Sequence, residues 1–321
     1  MKKNPLVSVI MNCYNGEEYI KEAINSILAQ TFQNFEIILF DNASTDKSRS
    51  IVESYEDNRI KYFWADKHVN LGTARNHAIE KAEGDYIAFL DVDDLWYPEK
   101  LFQQIPFFND PSIGLVYCLT NSINSKSEIV NSAKFDSNQS ATKISFFDLF
   151  VNYDVVLSSS IISKEALLSV NGNFDNLLEY AEEYDLFMRI CSKYDAIRSN
   201  NIHASYRKHD SQCTNRYFEL AIREEEYILS KFLLLFPNLF NSNIKLLEKK
   251  YEMFAWEKFL YFVSQGNAKY AREKIRPFIF RSIKKFIFYG LSFFGKHTIM
   301  FMWDYKRRKT GNLPYNLNKW F

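Results

Sequence analysis

Short apolar runs alternate with amphipathic stretches through the first third of the chain. Leu6 to Met11 is a β-rich run ending in Asn12. Glu17 to Gln30 then places Ile20, Ala23, Ile24, Ile27 and Leu28 at helical spacing. Phe35 to Phe40 predicts a second strand, closing on Asp41, and a helix follows from a cap within Ser44–Asp46 to about Tyr55. Ile60 to Trp64 reads as a third strand and Thr73 to Ala82 as a helix stopped by Gly84. A fourth strand, Tyr86 to Leu90, precedes a helix from Pro98 to about Asn109 and a fifth strand from Ile113 to Leu119. Strands alternating with helices predict an α/β domain with a mainly parallel sheet.

Beyond residue 120 the pattern weakens. Residues 121–142 are rich in Ser, Asn and Lys and read as an irregular insertion or lid. Residues 145–151 predict a short helix, and 155–162 an extended segment. Ala181 to Tyr194 is helical, with Glu182, Glu183 and Asp185 in its first turn, where acids suit the helix dipole. After Arg216 the strand signals fade, and residues 218–236 and 244–265 predict helices. No internal repeat is present.

Composition changes this picture at one end only. The net charge is +1, yet residues 272–321 carry twelve Lys or Arg against two acids, so the remainder is acidic. Residues 275–303 interleave Phe and Ile with Arg276, Arg281, Lys284 and Lys285, and Lys306-Arg307-Arg308-Lys309 follows. That mixture suits a segment lying on an anionic membrane, or a helical domain with a basic outer face. The dense apolar content argues against nucleic acid as the partner. Cys13, Cys118, Cys191 and Cys213 form no Cys-x-x-Cys pair and read as reduced, buried thiols. Met1-Lys2-Lys3 opens like an export signal, but the apolar run after it is too short, and no run reaches spanning length. A cytoplasmic chain, at the inner face of the membrane, is the expectation.

Asp91-Val92-Asp93-Asp94 ends the fourth strand. Three carboxylates so close repel unless a cation sits among them, and Mg²⁺ or Mn²⁺ takes carboxylates together with substrate phosphates. The alternative is a turn with Asp94 as a helix cap. In parallel sheets ligands bind beyond the carboxyl ends of the strands, which gathers Asn12, Asp41 and Asp91 on one rim.

Five blocks in order resemble the family 2 glycosyltransferases. They are Val7 to Gly16, Ile38 to Asp46, Asn70-Leu71-Gly72 with Arg75-Asn76, Ala88 to Asp94, and Gly172-Asn173-Phe174-Asp175 with Glu182 to Arg189. The resemblance implies a GT-A nucleotide-diphosphosugar fold over residues 1–215, with a helical region over 216–321. It also implies a metal-dependent, inverting hexosyl transfer from a nucleotide sugar, UDP-linked, to a glycan hydroxyl that is lipid-linked or part of the cell envelope. Asp41 then meets the base, or is only a turn residue, and Cys13 and Tyr14 flank the base. Arg75 holds the diphosphate, or is an exposed helix arginine. Asp91 faces the ribose or sugar, and Asp93 ligates Mn²⁺ or Mg²⁺. His209 completes the metal shell or is structural. The base position falls on Glu183, where the family has Asp, with Asp185 as the fallback. Asn12 stands where the family usually has Pro. These two departures leave open a second reading, a degenerate module that binds nucleotide sugars or glycans without turnover. A dehydrogenase-like enzyme is disfavoured, since no Gly-x-Gly-x-x-Gly follows the first strand.

Overall fold

The computed structural model describes residues 4–133, 140–209 and 218–294. The chain divides into two compact units, Met1–Leu220 and Ala221–Phe321.

The first unit is built on a ten-stranded sheet. Strands β1 (Val7–Cys13), β2 (Phe35–Asp41), β3 (Ile60–Trp64) and β4 (Tyr86–Phe89) pair in parallel at one side of it. Helices α1 (Ile20–Leu28), α2 (Ser48–Glu53) and α3 (Leu71–Ile79) connect them. β1 and β2 are buried along almost their whole length, as strands covered on both faces must be, and this is why they read as continuous apolar runs. Strands β5 (Leu95–Trp96) and β6 (Ile113–Ile123) flank a short helix α4 (Lys100–Gln104), which tightens into a 3₁₀ turn over Ile105–Asn109. Then come β7 (Ile129–Asn131), β8 (Ala141–Ile144), α5 (Phe146–Val151), β9 (Ile161–Ser163), α6 (Lys164–Ser169), α7 (Glu182–Cys191) and β10 (Asp195–Arg207). The strand order is β3-β2-β1-β4-β9-β6-β10-β5, with β7 on β6 and β8 on β10.

From β1 the chain runs outward to β2 and β3, then returns to place β4 on the other side of β1. That reversal opens a crevice beyond the carboxyl ends of β1, β2 and β4. Asn12 and Asp41 stand at the ends of β1 and β2, and Asp91 follows the end of β4.

Several expectations change. Residues 121–133 and 140–142 are not simply irregular: β6 continues to Ile123, and β7 and β8 pair with the sheet. Residues 134–139 of that segment lie outside the described residues. β10 is a 13-residue strand where the sequence pattern predicts none. Leu157–Ser159 is a 3₁₀ turn rather than extended. Asp94 does not cap a helix, because β5 intervenes and α4 begins only at Lys100. Gly84 does not stop α3, which ends at Ile79. It is required because a Cβ there would stand 2.6 Å from the Ser8 amide nitrogen and hydroxyl.

The second unit is helical: α8 (Phe218–Leu235), which begins just before it, α9 (Pro237–Asn241), α10 (Ile244–Ser264), α11 (Ala268–Ile275) and α12 (Ile283–Leu291). Phe259, Leu260, Val263, Ala271, Ile275 and Phe288 form its core. Cys13, Cys118 and Cys191 are free and buried, and Cys213 lies outside the described residues. No helix among the described residues is long and apolar enough to cross a membrane.

Candidate active site

One wall of the crevice is made by the loops after β1 and β2, which are laced together. Asn15 and Ala43 take left-handed backbone conformations, with φ of 52° and 64°. Asn15 tolerates that region better than alanine does. The Asn15 amide donates to Ser44 Oγ at 2.9 Å, and Asn15 Oδ1 accepts from the Thr45 amide at 2.8 Å. The Gly16 amide donates to Ser48 Oγ and the Glu17 amide to Asp46 Oδ2, both at 2.9 Å.

Within this wall the predicted residues separate. Tyr14 is exposed, its ring 4.2 Å from that of His68. Asn12, near the end of β1, carries a buried amide nitrogen with no hydrogen-bond partner. Cys13, expected beside a base, points into the core with Met11 and Val9, and burial pushes its thiol pKa up. Alternation along a strand puts it on the opposite face from Asn12. Asp41 is fully buried; its Oδ1 accepts from the Ser44 amide at 2.7 Å and its Oδ2 from the Tyr62 hydroxyl at 2.9 Å. It braces the turn on which Ala43 and Ser44 sit.

The acidic segment after β4 is held from several sides. Ser158 Oγ accepts from the Asp91 amide at 3.1 Å and donates to Asp94 Oδ2 at 2.6 Å. Asp94 Oδ1 accepts from the Arg207 amide at 2.9 Å. Burial, with Asp93 and Asp91 adding to it, holds the Asp94 carboxyl well above the usual range. Asp93 Oδ2 meets His209 Nε2 at 2.9 Å, which brings together the two residues expected at a metal. Arg207, fully buried, was missed by sequence reasoning. Its Nε donates to the Asp93 carbonyl at 2.6 Å, its Nη1 to Ser127 Oγ at 2.9 Å and its Nη2 to Glu22 at 2.8 Å. Its guanidinium also lies 4.5 Å over the Tyr19 ring. The only trace of it in the sequence is its place two residues before His209.

A third group joins blocks about a hundred residues apart. Asn70 caps α3 through the Thr73 amide and donates to the Asn176 carbonyl. The Asn76 side chain donates to the Phe174 carbonyl at 2.9 Å and accepts from its amide at 2.8 Å. This seats residues 174–182 against α3 and leads into α7. Arg75, expected to be open to a diphosphate or exposed, is buried instead. It is bonded to Glu182 and to Asp91 Oδ1 at 3.2 Å, and its Nη1 is 3.8 Å from Glu183 Oε2. One guanidinium therefore gathers three carboxylates. Burial pushes the Asp91 carboxyl up, Arg75 pulls it down and Asp93 pushes it up again, leaving it above its usual value. Glu183 keeps part of its side chain exposed, whereas Asp185 is fully buried and bonded to Arg189 Nε at 2.9 Å. Geometry favours Glu183 over Asp185 as a group that can meet a substrate.

Among the described residues no group of three or more His, Cys, Asp or Glu is placed to hold a metal. Asp93 with His209 offers two ligands, in a rim with excess negative charge. That donor set fits a cation whose other ligands are phosphate and water.

The chain matches the family Glycosyl transferase family 2 over residues 8–170. An uncharacterized glycosyltransferase of Rickettsia typhi is 32% identical over 96% of this chain and 100% of its own length. UDP-Glc:alpha-D-GlcNAc-diphosphoundecaprenol beta-1,3-glucosyltransferase WfgD of Escherichia coli is 32% identical over 68% of this chain and 83% of its own. Among solved structures, S. aureus TarS 1-349 in complex with UDP-GlcNAc superposes with a TM-score of 0.58 at 21% identity, over 84% of this chain and 88% of that one. The mannosyltransferase PcManGT from Pyrobaculum calidifontis, in complex with GDP-Man and Mn²⁺, gives 0.59 at 16%, over 94% and 88%. The fold is GT-A, and the chain belongs to glycosyltransferase family 2. It is a glycosyltransferase.

Proposed function

We propose that this enzyme moves a hexosyl group from a UDP-sugar to a hydroxyl of a lipid-linked envelope glycan, with inversion at the anomeric carbon. The reading rests on one observation above others: Arg75 draws Asp91 and Glu183 onto a single guanidinium. An acid on the donor side and an acid on the acceptor side are thereby fixed relative to one another. Residues 1–215 form the catalytic part in this reading, and 216–321 the part that meets the membrane.

Glu183 takes the proton from the acceptor hydroxyl as its oxygen attacks the anomeric carbon from the face opposite the diphosphate. The bond from that carbon to the diphosphate oxygen breaks, and the nucleoside diphosphate leaves with the electron pair. Asp93 and His209 would hold Mn²⁺ or Mg²⁺, which would supply positive charge to balance that on the departing phosphates. Asp91 contacts the ribose or sugar. Asn12 and Tyr14 contact the nucleotide, supported by the unpartnered Asn12 amide and the open Tyr14 ring. Asp41, fully buried between Ser44 and Tyr62, supports the wall behind the nucleotide rather than meeting the base. A lipid-linked acceptor is supported by the names of the Escherichia coli relatives WfgD and WfaP, both of which act on GlcNAc-diphosphoundecaprenol.

A panel of nucleotide sugars, assayed for hydrolysis with Mn²⁺ and with chelator, tests the donor and the metal together. Turnover of at least one UDP-sugar, lost with chelator and in Asp93→Ala, is expected. Turnover unchanged in Asp93→Ala refutes the metal assignment. Donor binding without transfer to any acceptor points to the degenerate module instead.

A further inference from the structure

We propose that α12 and the turn before it form a surface that inserts into the headgroup–acyl boundary of an anionic membrane. The purpose of such a surface rests on the reading of a lipid-linked acceptor given above, but its test needs no turnover.

Helix α12 is apolar on two sides. One side, with Phe288, packs into the second unit's core, and the Phe288 ring stands 5.5 Å from that of Trp256. The other side carries Ile283, Phe286 and Ile287, which are 81%, 54% and 44% exposed. These positions, with Gly290, follow the i, i+3, i+4, i+7 rule and define one stripe. A Cβ added at Gly290 meets nothing within 4 Å, so the stripe is open at that position. Phe280, 85% exposed, extends it, with its ring 5.9 Å from that of Phe286. Single exposed apolar residues are ordinary on protein surfaces, but a connected patch of large ones marks a contact surface.

Charge selects the occupant. From Arg276 to Phe294 the chain holds Arg276, Arg281, Lys284 and Lys285 and no acid. The acids of α10 nearest this segment, Glu248 and Glu252, are engaged by Arg281 and Lys285. Four cations against these two acids leave a net charge of +2 here, which disfavours a second copy of itself and favours an anionic surface. A sheet of anionic headgroups matches both the apolar stripe and its basic border. At nine residues α12 is too short to span, so it would lie in the plane of the interface.

The full chain and its variants can be sedimented with vesicles of phosphatidylcholine containing about a third phosphatidylglycerol. The wild type is expected to bind these at least about tenfold more tightly than vesicles of phosphatidylcholine alone. Replacing Phe280, Ile283 and Phe286 together by Ser should weaken binding about a hundredfold, because the apolar area that enters the boundary is lost. Gly290→Leu lengthens the stripe and should tighten binding several-fold. Hydrolysis of donor in solution should be the same in all of these proteins. Equal vesicle binding by the wild type and the triple variant overturns the proposal. So does a triple variant whose effect is to turn a dimer into a monomer, since the patch is then a subunit contact. Vesicle binding without transfer to any acceptor sinks the functional reading and leaves this one standing. Transfer without vesicle binding does the reverse.

Discussion

Asp185 is fully buried against Arg189, whose guanidinium also donates to the carbonyls of Val170 and Asn173. Breaking a buried ion pair on one side leaves the other charge unmatched in low dielectric. Asp185→Asn should therefore lower unfolding stability by about 3 kcal/mol, measured by urea denaturation, with donor hydrolysis per folded molecule retained. Lost hydrolysis at unchanged stability would move the catalytic role to Asp185. Arg207 makes the opposite case, a residue that never faces substrate yet fixes the main chain beneath Asp93. Arg207→Lys keeps a charge but loses the fork that spans Asp93, Ser127 and Glu22. The Mn²⁺ concentration for half-maximal hydrolysis should rise by about tenfold or more, as expected when support behind a ligand is removed. A lower rate with an unchanged Mn²⁺ requirement would make Arg207 merely structural.

At the scale of elements, the site depends on α3 gripping the segment that leads into α7. Asn76→Ala leaves both backbone groups of Phe174 without that partner and should cost about 2 kcal/mol in denaturant unfolding. It should also slow transfer, because Glu183 follows on the same segment. Helix α4 holds a different kind of tension. Lys100 is fully buried with no hydrogen-bond partner for its ammonium, which lies 4.3 Å over the Trp96 ring, and burial pushes its pKa down to about 8. Against an unfolded value of 10.5, the folded state binds the proton less well. Its contribution to stability is thus complete above pH 10.5 and lost as pH falls through 8. Lys100→Met should stabilise the protein at pH 7 by on the order of 3 kcal/mol, and the gain should shrink towards zero between pH 8 and 10.5. A pH-independent gain in thermal melting would contradict this. The parallel strands were legible because burial on both faces makes them plain apolar runs. β10 was not, for two physical reasons. Ser199, Asn200, His203, Ser205 and Arg207 are buried polar positions. Register shifts at Asp195/Ala196, Ser199/Ile202 and Ile202/Ala204 also break the alternation that announces a strand. Since β10 carries Arg207 and leads to His209, the part of the site it supplies was the hardest to foresee.

Across the whole molecule, the acidic body and basic tail noted in the sequence fall largely into different units. The described part of the basic stretch ends at Phe294, and Lys306-Arg307-Arg308-Lys309 lies outside it. The carboxylate-rich rim belongs to the first unit and the apolar, basic face of α12 to the second. The position of the rim could be read from strand ends alone. The division of labour within it could not, since Asp94 and Asp185 are carboxylates like Asp93 and Glu183 and are set apart by what the fold packs around them. Glu183 is proposed as the base of a glycosyl transfer whose donor is held elsewhere on the rim. Transfer to a lipid-linked acceptor, measured beside calorimetric binding of the donor, tests it most directly in Glu183→Gln. Transfer should fall by about a thousandfold or more, with donor affinity unchanged within a few-fold. Transfer that survives in Glu183→Gln would contradict it.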